Sequence, residues 1–235
     1  MDEFNAMQIK YRAQGAKHGI EVLIVGAIGL LFIMLFNLLR PGEISILEIF
    51  LVSLCIAAIT IGFFKTQEPF YSLVLTTEQL TYQHKYGVWH LAHSNFKSSG
   101  IPKIAVGLEH LELNVVGIKV NDMDEFLTGL APRIAGKLLI EQRHLFMQLI
   151  QKNCKNGDCP SEWLVEDTQY RSKNGISYNG LIAMFANRAK HLQLLTGYEL
   201  LLPASVLDRN IWEFSANLNA WQREPLKFIA SQVSN

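Results

Sequence analysis

The sequence has little cysteine, no net charge and none of the common catalytic fingerprints. Three cysteines in 235 residues exclude a small scaffold held together by disulfides. Lysine plus arginine equals aspartate plus glutamate at 21 each, so the chain lacks the basic excess that neutralises nucleic-acid phosphates. It contains no G-x-S-x-G elbow, P-loop, G-x-G-x-x-G turn or H-E-x-x-H helix. Since 49% of the residues are hydrophobic, the sequence predicts a folded protein. Its balanced charge predicts that this protein does not bind nucleic acid.

The sequence does contain two long apolar runs close to its start. Val22–Leu39 has Asn37 as its only polar side chain, and Ile44–Phe64 has Glu48 as its only charged one. Each run is about 18 to 21 residues long, and a helix of that length crosses roughly 30 Å of hydrocarbon. The short turn Arg40–Glu43 joins them. The pattern therefore predicts an antiparallel hairpin of two transmembrane helices.

Positive charges near the ends of the two runs predict the orientation of the hairpin. Lys10, Arg12 and Lys17 precede the first run and Lys65 follows the second, whereas the turn carries only Arg40. Because cytoplasmic flanks are enriched in lysine and arginine, both termini are expected in the cytoplasm. The first run is longer than the apolar part of a signal peptide and no small-residue cleavage site follows it, so we expect it to remain as a span.

Small and polar residues within the runs bear on how the two helices pack. Gly26 and the pattern Ala58-x-x-x-Gly62 lie at similar depth, and small residues let helix backbones approach closely. Asn37 and Glu48 also share a depth, near the outer end. We interpret these two either as an interfacial hydrogen bond or snorkelling side chain, or as a polar pair in a transport function that requires oligomerisation.

Residues 66–131 are predicted to form an antiparallel β module. Phe70–Thr76 alternates apolar and polar residues, and a two-residue turn at Tyr86-Gly87 would pair His84 with Trp89. Further strands are expected within Ile101–Val106 and Leu111–Val120, followed by a short helix over Met123–Leu130 that Asn121 or Asp122 can cap.

Residues 132–235 are predicted to be mostly helical. Apolar side chains recur with helical period in Pro132–Gln151, Leu181–Leu195 and Asp208–Gln222, with Gly197 at the end of the second helix. A strand–Asp–helix order recurs within 117–130 and 198–218, which is weak support for a duplicated unit. The predicted fold is an α+β membrane protein in four regions: a cytoplasmic segment 1–19, a transmembrane hairpin 20–65, the β module 66–131 and the mostly helical region 132–235.

Six stretches of the sequence resemble known bacterial membrane proteins. FYSLVLTTEQLTYQHKYGVWHLAHSNF (70–96) and VVGIKVNDMDEFLTGL (115–130) are similar to a pleckstrin-homology-like module that follows a two-helix hairpin. PRIAGKLLIEQR (132–143), WLVEDTQY (163–170), GLIAMFANR (180–188) and GYELLLPASVLDR (197–209) resemble a bacterial membrane family, the domain of unknown function 2982. The resemblance implies a multi-pass protein of the bacterial inner membrane and carries no activity, cofactor or site residue with it.

The spacing of the histidines and cysteines does not fit a metal site. With a turn at Tyr86-Gly87, His84 and His93 would share a sheet face roughly 13 Å apart while His90 points to the other face, too far for one zinc ion. Cys154 and Cys159 provide half a zinc site at most. In the cytoplasm they are expected as free thiols, and an inverted topology would favour a disulfide. We therefore expect no metal and no cofactor.

Three functions are compatible with these patterns. The favoured one is a non-catalytic interaction module, anchored to the lipid bilayer by the hairpin, that binds a protein partner or a second copy of itself. The second is an enzyme with a site between the β module and the helical region, and the third is a subunit of a transport complex. No catalytic residue is assigned. The binding candidates are ionisable residues in the family-like segments: Arg143, Glu166, Asp167, Arg188, Asp208 and Arg209.

Overall fold

The computed structural model describes residues 8–12, 18–39, 42, 45–67, 69–106, 109–153, 163 and 165–233. The chain divides into two compact units. One, here called the helical unit, is Ala13–Phe70, and the other, the folded unit, combines Met1–Arg12 with Tyr71–Asn235. The folded unit thus takes its chain from both sides of the helical unit.

The helical unit contains α1 (Gly19–Leu39) and α2 (Ile46–Thr66), each of 21 residues and apolar along its length. Both predicted spans are confirmed as helices: α1 begins three residues before its predicted start, and α2 lies two residues further along the chain than predicted. Mean hydropathy is 2.8 for α1 and 2.5 for α2, and only 6% of each apolar window is buried. Ser45 and Glu48 form a capping box that starts α2. By length and composition, both helices are candidate membrane spans.

Glycines bring α1 and α2 into close contact, as the small-residue pattern predicts. A Cβ atom on Gly62 would lie 2.6 Å from the Leu23 backbone nitrogen, and one on Gly26 would lie 2.8 Å from Ile59 Cγ1. The polar side chains bond within their own helices. Asn37 Nδ2 donates to the Ile33 carbonyl at 3.0 Å, and Glu48 accepts from the Ser45 backbone N–H at 3.0 Å. Neither of these two bonds joins the two helices.

Four antiparallel strands form the first sheet of the folded unit: β1 (Ile9–Tyr11), β2 (Leu73–Leu75), β3 (Gln79–His84) and β4 (Gly87–Ala92), in that order. Strand β1 precedes the two helices in the chain and β2 follows them, yet Tyr11 lies opposite Leu73. The sequence analysis did not predict β1, because three residues are too few to show a period.

The β3–β4 hairpin has a different register from the predicted one. Tyr82 pairs with Trp89 and Leu80 with Leu91, so Lys85 and Tyr86 form the two-residue loop. A shift of two residues leaves every side chain on its original face, so alternation alone cannot distinguish the two registers. The observed register places large buried side chains opposite one another, which stabilises an antiparallel pair.

A second sheet has the strand order β11 (Leu200–Pro203), β8 (Val115–Val120) and β5 (Phe96–Gly100), and two hairpins accompany it. The hairpin strands are β6 (Lys103–Val106), β7 (Glu109–Glu112), β9 (Gln169–Arg171) and β10 (Ser177–Asn179). Gly100 and Gly117 lie opposite each other in β5 and β8, and Tyr198 covers them. A Cβ on Gly117 would lie 2.6 Å from Tyr198 Cδ2, so only glycine leaves room for this ring.

Six helices pack on these sheets: α3 (Met123–Thr128), α4 (Pro132–Glu141), α5 (Arg143–Asn153), α6 (Gly180–Thr196), α7 (Ile211–Arg223) and α8 (Pro225–Val233). Asp122 caps α3 and Gly197 ends α6 with φ 83°, both as predicted. The single helix predicted over 132–151 is wrong, because the chain breaks at Gln142, whose side chain donates to the Leu201 carbonyl at 3.0 Å. Asn210 caps α7, which begins three residues later than the helix predicted from Asp208.

One main apolar core joins both sheets and the helices. It includes Tyr11 from β1, Phe96 from β5, Ile134 from α4 and Trp221 from α7, all almost inaccessible to solvent. The predicted regions 66–131 and 132–235 both contribute to it. Strands β8 and β11, which belong to the two copies of the proposed duplicated unit, are antiparallel neighbours in the second sheet.

Candidate functional site

Arg188 is the most deeply buried arginine among the described residues whose side chains are shown, with an exposed fraction of 3%. Its guanidinium forms an ion pair with Glu166. Nη1 also points to the Leu139 carbonyl at 3.5 Å, and Cζ lies 4.1 Å from the centre of the Phe146 ring. The Nε–H has no hydrogen-bond partner among the described residues. We call Arg143, Glu166 and Arg188, with the rings beside them, the Arg188 cluster.

The position of Arg188 follows from the pattern of α6. Its buried face carries small side chains at Ala183, Ala186 and Ala189. Small side chains allow neighbouring helices to approach, so the long arginine reaches the end of α4 and the ring of Phe146 in α5. Arg188 occupies a position on the buried face of α6 where a helix of this pattern ordinarily carries an apolar residue.

Burial dominates the electrostatics of the Arg188 cluster. Loss of solvent, with a smaller contribution from the positive charge of Arg143, lowers the pKa of Arg188 to about 10. Arg188 therefore stays charged at neutral pH, and Glu166 supplies the opposite charge. Glu166 is itself 18% exposed, so the pair lies at the edge of the protein interior.

Aromatic rings line one side of the Arg188 cluster. His191 stacks on Trp163 with ring centroids 5.6 Å apart, and on Phe146 at 6.3 Å. Phe146 also carries the Arg188 guanidinium on its face. The arrangement fixes a charged pair against flat apolar surfaces, which can hold the segment around Glu166 on helices α5 and α6, or present a buried N–H to an anion.

The other predicted candidates lie elsewhere. Asp167 is exposed and accepts from the Gln169 backbone N–H at 2.9 Å, which stabilises the start of β9. Asp208 pairs with Arg209, whose guanidinium also reaches Glu213. Cζ of Arg209 lies 5.1 Å from the centre of the Tyr11 ring. The six candidates thus form the Arg188 cluster, a turn at Asp167 and a separate group beside β1.

Comparison with known proteins identifies a family. A family model described as a protein of unknown function (DUF2982) matches residues 73–224, which is more than half of the chain. The chain belongs to the DUF2982 family. The matched part runs from β2 to the end of α7 and includes the whole Arg188 cluster. No curated protein and no solved structure matches the chain. The resemblance to a pleckstrin-homology-like module stays a prediction.

The DUF2982 fold also contains a buried carboxylate that the sequence analysis missed. Asp124 in α3 is 7% exposed and accepts from Tyr178 Oη at 3.0 Å and from Asn174 Nδ2 at 2.8 Å. Burial and the hydrogen bond to Asp124 raise the pKa of Tyr178. These bonds fasten the β9–β10 hairpin to α3. Asp124 lies 50 residues from Asn174 in the chain, so no local pattern could connect them.

The histidines of the DUF2982 protein have separate partners. His84 Nε2 lies 3.3 Å from Glu141 Oε1, and His90 Nδ1 lies 3.0 Å from Thr81 Oγ1. His93, which follows β4, packs edge-on against Trp221. Within the described part of the chain, no three His, Cys, Asp or Glu side chains come together as a metal site. Cys154 and Cys159 lie outside the described residues.

A small cavity lies in the core, beside the break between α4 and α5. It measures about 20 Å³, and its lining is mainly apolar, with polar groups on Tyr82, Trp89 and Gln142. A volume of that size holds about one water molecule.

Proposed function

We propose that this DUF2982 protein is a membrane-anchored interaction module without catalytic activity, held in the bacterial inner membrane with its folded unit in the cytoplasm. The pairing of β1 with β2 carries the proposal. Tyr11 lies opposite Leu73, so the chain leaves one sheet, passes through two candidate spans and returns to the same sheet. Such an excursion crosses a bilayer twice and ends on the side where it began.

Charge supports the cytoplasmic side. Lys10 and Arg12 precede α1 and Lys65 lies in the last turn of α2, whereas the sequence between the helices has one basic residue, Arg40. The positive-inside bias favours a cytoplasmic location for the residues that flank the two helices, and therefore also for the adjoining strands β1 and β2. Only residues 67–72 lie between α2 and β2, so the folded unit stays tethered to whatever holds the helices.

An interaction role is supported by apolar side chains on the surface of the folded unit. Several are more than half exposed: Val165, Leu194, Trp212 and Leu226. Exposed apolar groups of this size supply contact area for a protein partner or a second copy of the chain. Two buried charged side chains, by contrast, have structural partners: Arg188 pairs with Glu166, and Asp124 accepts from Tyr178.

A second candidate function rests on the Nε–H of Arg188. This donor is buried and has no partner among the described residues, and a buried donor of this kind can bind an anionic substrate. Thermal unfolding with added inorganic phosphate tests this alternative. Stabilisation of the parent chain but not of an Arg188→Met variant would favour a ligand site over an interaction module.

Single-cysteine labelling tests the proposed topology. In full-length protein with Cys55, Cys154 and Cys159 replaced by serine, Gly42→Cys places a thiol between the helices and Lys227→Cys places one on α8, where the side chain is 80% exposed. We expect a membrane-impermeant maleimide to label Gly42→Cys from the periplasm and Lys227→Cys only after the inner membrane is opened. Labelling of Lys227→Cys in cells with an intact inner membrane would contradict the proposal.

A further inference from the structure

Three cations gather around one tyrosine on the surface of the folded unit. Tyr86 lies in the β3–β4 loop, and Lys137 Nζ is 4.3 Å from the centre of its ring. Arg133 Cζ and Lys85 Nζ are each 5.5 Å from the same centre. Arg133 and Lys137 lie one turn apart on α4, whose first turn has no acidic residue. The ring and its cations form a compact positive surface.

The positive surface continues into an apolar one along the same helix. Ile140 follows Lys137 by one turn and is 68% exposed, while α4 buries Ile134, Ala135, Leu138 and Leu139 on its other side. Leu181 of α6 lies beside Gly136, where a Cβ atom would be 3.2 Å from its Cδ1, and is 43% exposed. We call Lys85, Tyr86, Arg133, Lys137, Ile140 and Leu181 the α4–Tyr86 surface.

The acidic residue of α4 does not pair with Arg133 or Lys137. Glu141 lies at the end of α4 and pairs with His84, with 3.3 Å between Oε1 and Nε2. Among the described residues, neither Arg133 nor Lys137 has a carboxylate within ion-pair distance. Both contact the face of the Tyr86 ring, and neither residue is buried, so an external anion can reach them.

We infer that the α4–Tyr86 surface docks on the anionic phospholipids of the bilayer that anchors the chain. Lysine and arginine bind lipid phosphates, tyrosine prefers the headgroup level, and Ile140 and Leu181 can enter the acyl boundary. A protein partner is a poorer match, because lysine is depleted from the desolvated centre of protein interfaces. The inference rests on the proposed function, since the anchor keeps the folded unit at high local concentration near lipid.

Depth-dependent fluorescence quenching in lipid nanodiscs tests the docking. The full chain with its three cysteines replaced by serine receives Ile140→Cys, labelled with an environment-sensitive fluorophore. It is placed in nanodiscs of phosphatidylcholine alone or mixed with phosphatidylglycerol, each with spin-labelled lipid as quencher. We expect strong quenching only with phosphatidylglycerol, and its loss at high ionic strength. Lys137→Gln or Arg133→Gln should lower the ratio of docked to undocked molecules about fivefold each.

Two controls are matched to these variants. Leu194→Cys carries the label at a site that is 66% exposed, thirteen residues beyond Leu181 on α6, and should show equal quenching in both lipids. Lys227→Gln removes an exposed cation that pairs with Glu224, and should leave quenching at Ile140→Cys unchanged.

Each remaining outcome overturns the inference in a recognisable way. Equal quenching of the Ile140→Cys label in both lipids, or quenching insensitive to Lys137→Gln and Arg133→Gln, excludes docking on anionic lipid while leaving the anchor intact. A fluorescence change caused by inorganic phosphate without lipid quenching assigns the surface to a soluble anion. Failure of the chain to enter nanodiscs contradicts the anchor itself, and with it the proposed function.

Discussion

Arg188 is buried deeply enough that its charge has to be matched inside the protein. Glu166 provides the match, and Phe146 and the Leu139 carbonyl complete the surroundings. Removing one member of a buried ion pair costs more than the pair contributes, because the remaining charge stays desolvated. At the residue scale, this pair is therefore a sensitive point of the fold.

Glu166→Gln is expected to destabilise the protein by about 3 kcal/mol, because Arg188 keeps its charge and loses its counter-ion. Chemical unfolding of the full chain in detergent measures the change. Asp167→Asn is the matched control, since it removes a charge one residue away and retains an acceptor for the Gln169 N–H. It should stay within about 0.5 kcal/mol of the parent. Equal stability of the two variants would contradict a role for the buried pair.

A second buried carboxyl predicts a pH dependence. Burial raises the pKa of Glu199, which accepts from Gln193 Nε2 and, at 3.3 Å, from the Val120 N–H. The folded state thus holds this proton more tightly than the unfolded state. The resulting stabilisation is complete at pH values below the unfolded pKa, near 4.5, and is lost as the pH rises through the raised folded pKa.

Glu199→Gln should therefore raise the free energy of unfolding at neutral pH and flatten its pH dependence above 4.5. Unfolding curves on both sides of that pH measure the effect. Glu141→Gln serves as a control, because its side chain is 43% exposed. If Glu199→Gln destabilises the protein at neutral pH, the hydrogen bonds of the carboxylate outweigh its burial.

The candidate site could be predicted from the sequence only in part. The sequence analysis selected ionisable residues in the family-like segments. Three of them, Arg143, Glu166 and Arg188, lie together in the fold. It could not separate them from Asp208 and Arg209, because which charges meet depends on packing between elements far apart in the chain. Asp124 was missed for the same reason: its partners lie in a hairpin about 50 residues away.

At the scale of elements, long segments with a clear pattern were predictable and short ones were not. Helices α1 and α2 are apolar runs of 21 residues each, whereas α6 and α7 repeat their apolar positions over three or more turns. No proline or glycine marks the break between α4 and α5. At this break Gln142 bonds to a strand distant in sequence, and no local pattern could predict that contact. The register of β3 and β4 was missed because a shift by two residues preserves alternation.

Gly117→Ala tests the contact between elements at β5, β8 and Tyr198. The added methyl group would lie 2.6 Å from Tyr198 Cδ2, so the ring has to move, at a cost of about 1 to 3 kcal/mol. Thermal unfolding measures it, and adding Tyr198→Ala should make the combined loss smaller than the sum. Gly129→Ala is the control, because its Cβ would lie 3.8 Å from the nearest atom. Additive losses would show that Gly117 and Tyr198 do not interact.

At the scale of the whole molecule, three residues before the helices complete the sheet after them. Tyr11 is 1% exposed and packs edge-on against Phe214, with ring centroids 5.1 Å apart. Its carbonyl accepts from the Ser72 N–H at 3.0 Å. The folded unit therefore depends on a segment that the family match, which begins at Leu73, does not include.

Tyr11→Ala is expected to cost about 3 to 5 kcal/mol, because it removes a large buried ring from the core. Tyr11→Phe keeps the ring against Phe214 and should cost less than about 1.5 kcal/mol. Limited proteolysis and unfolding of the full chain in detergent measure both. A Tyr11→Ala variant as stable as Tyr11→Phe would mean that β1 contributes little to the folded unit.

The pairing of β1 with β2 also sets an order of events during synthesis. Strand β1 leaves the ribosome before either helix, and the strand that it pairs with emerges only after both. The first sheet can close only once the translated chain has passed through α1 and α2. Completion of the fold thus waits for the two candidate membrane spans, and a chain that stops within them leaves its first strand without a partner.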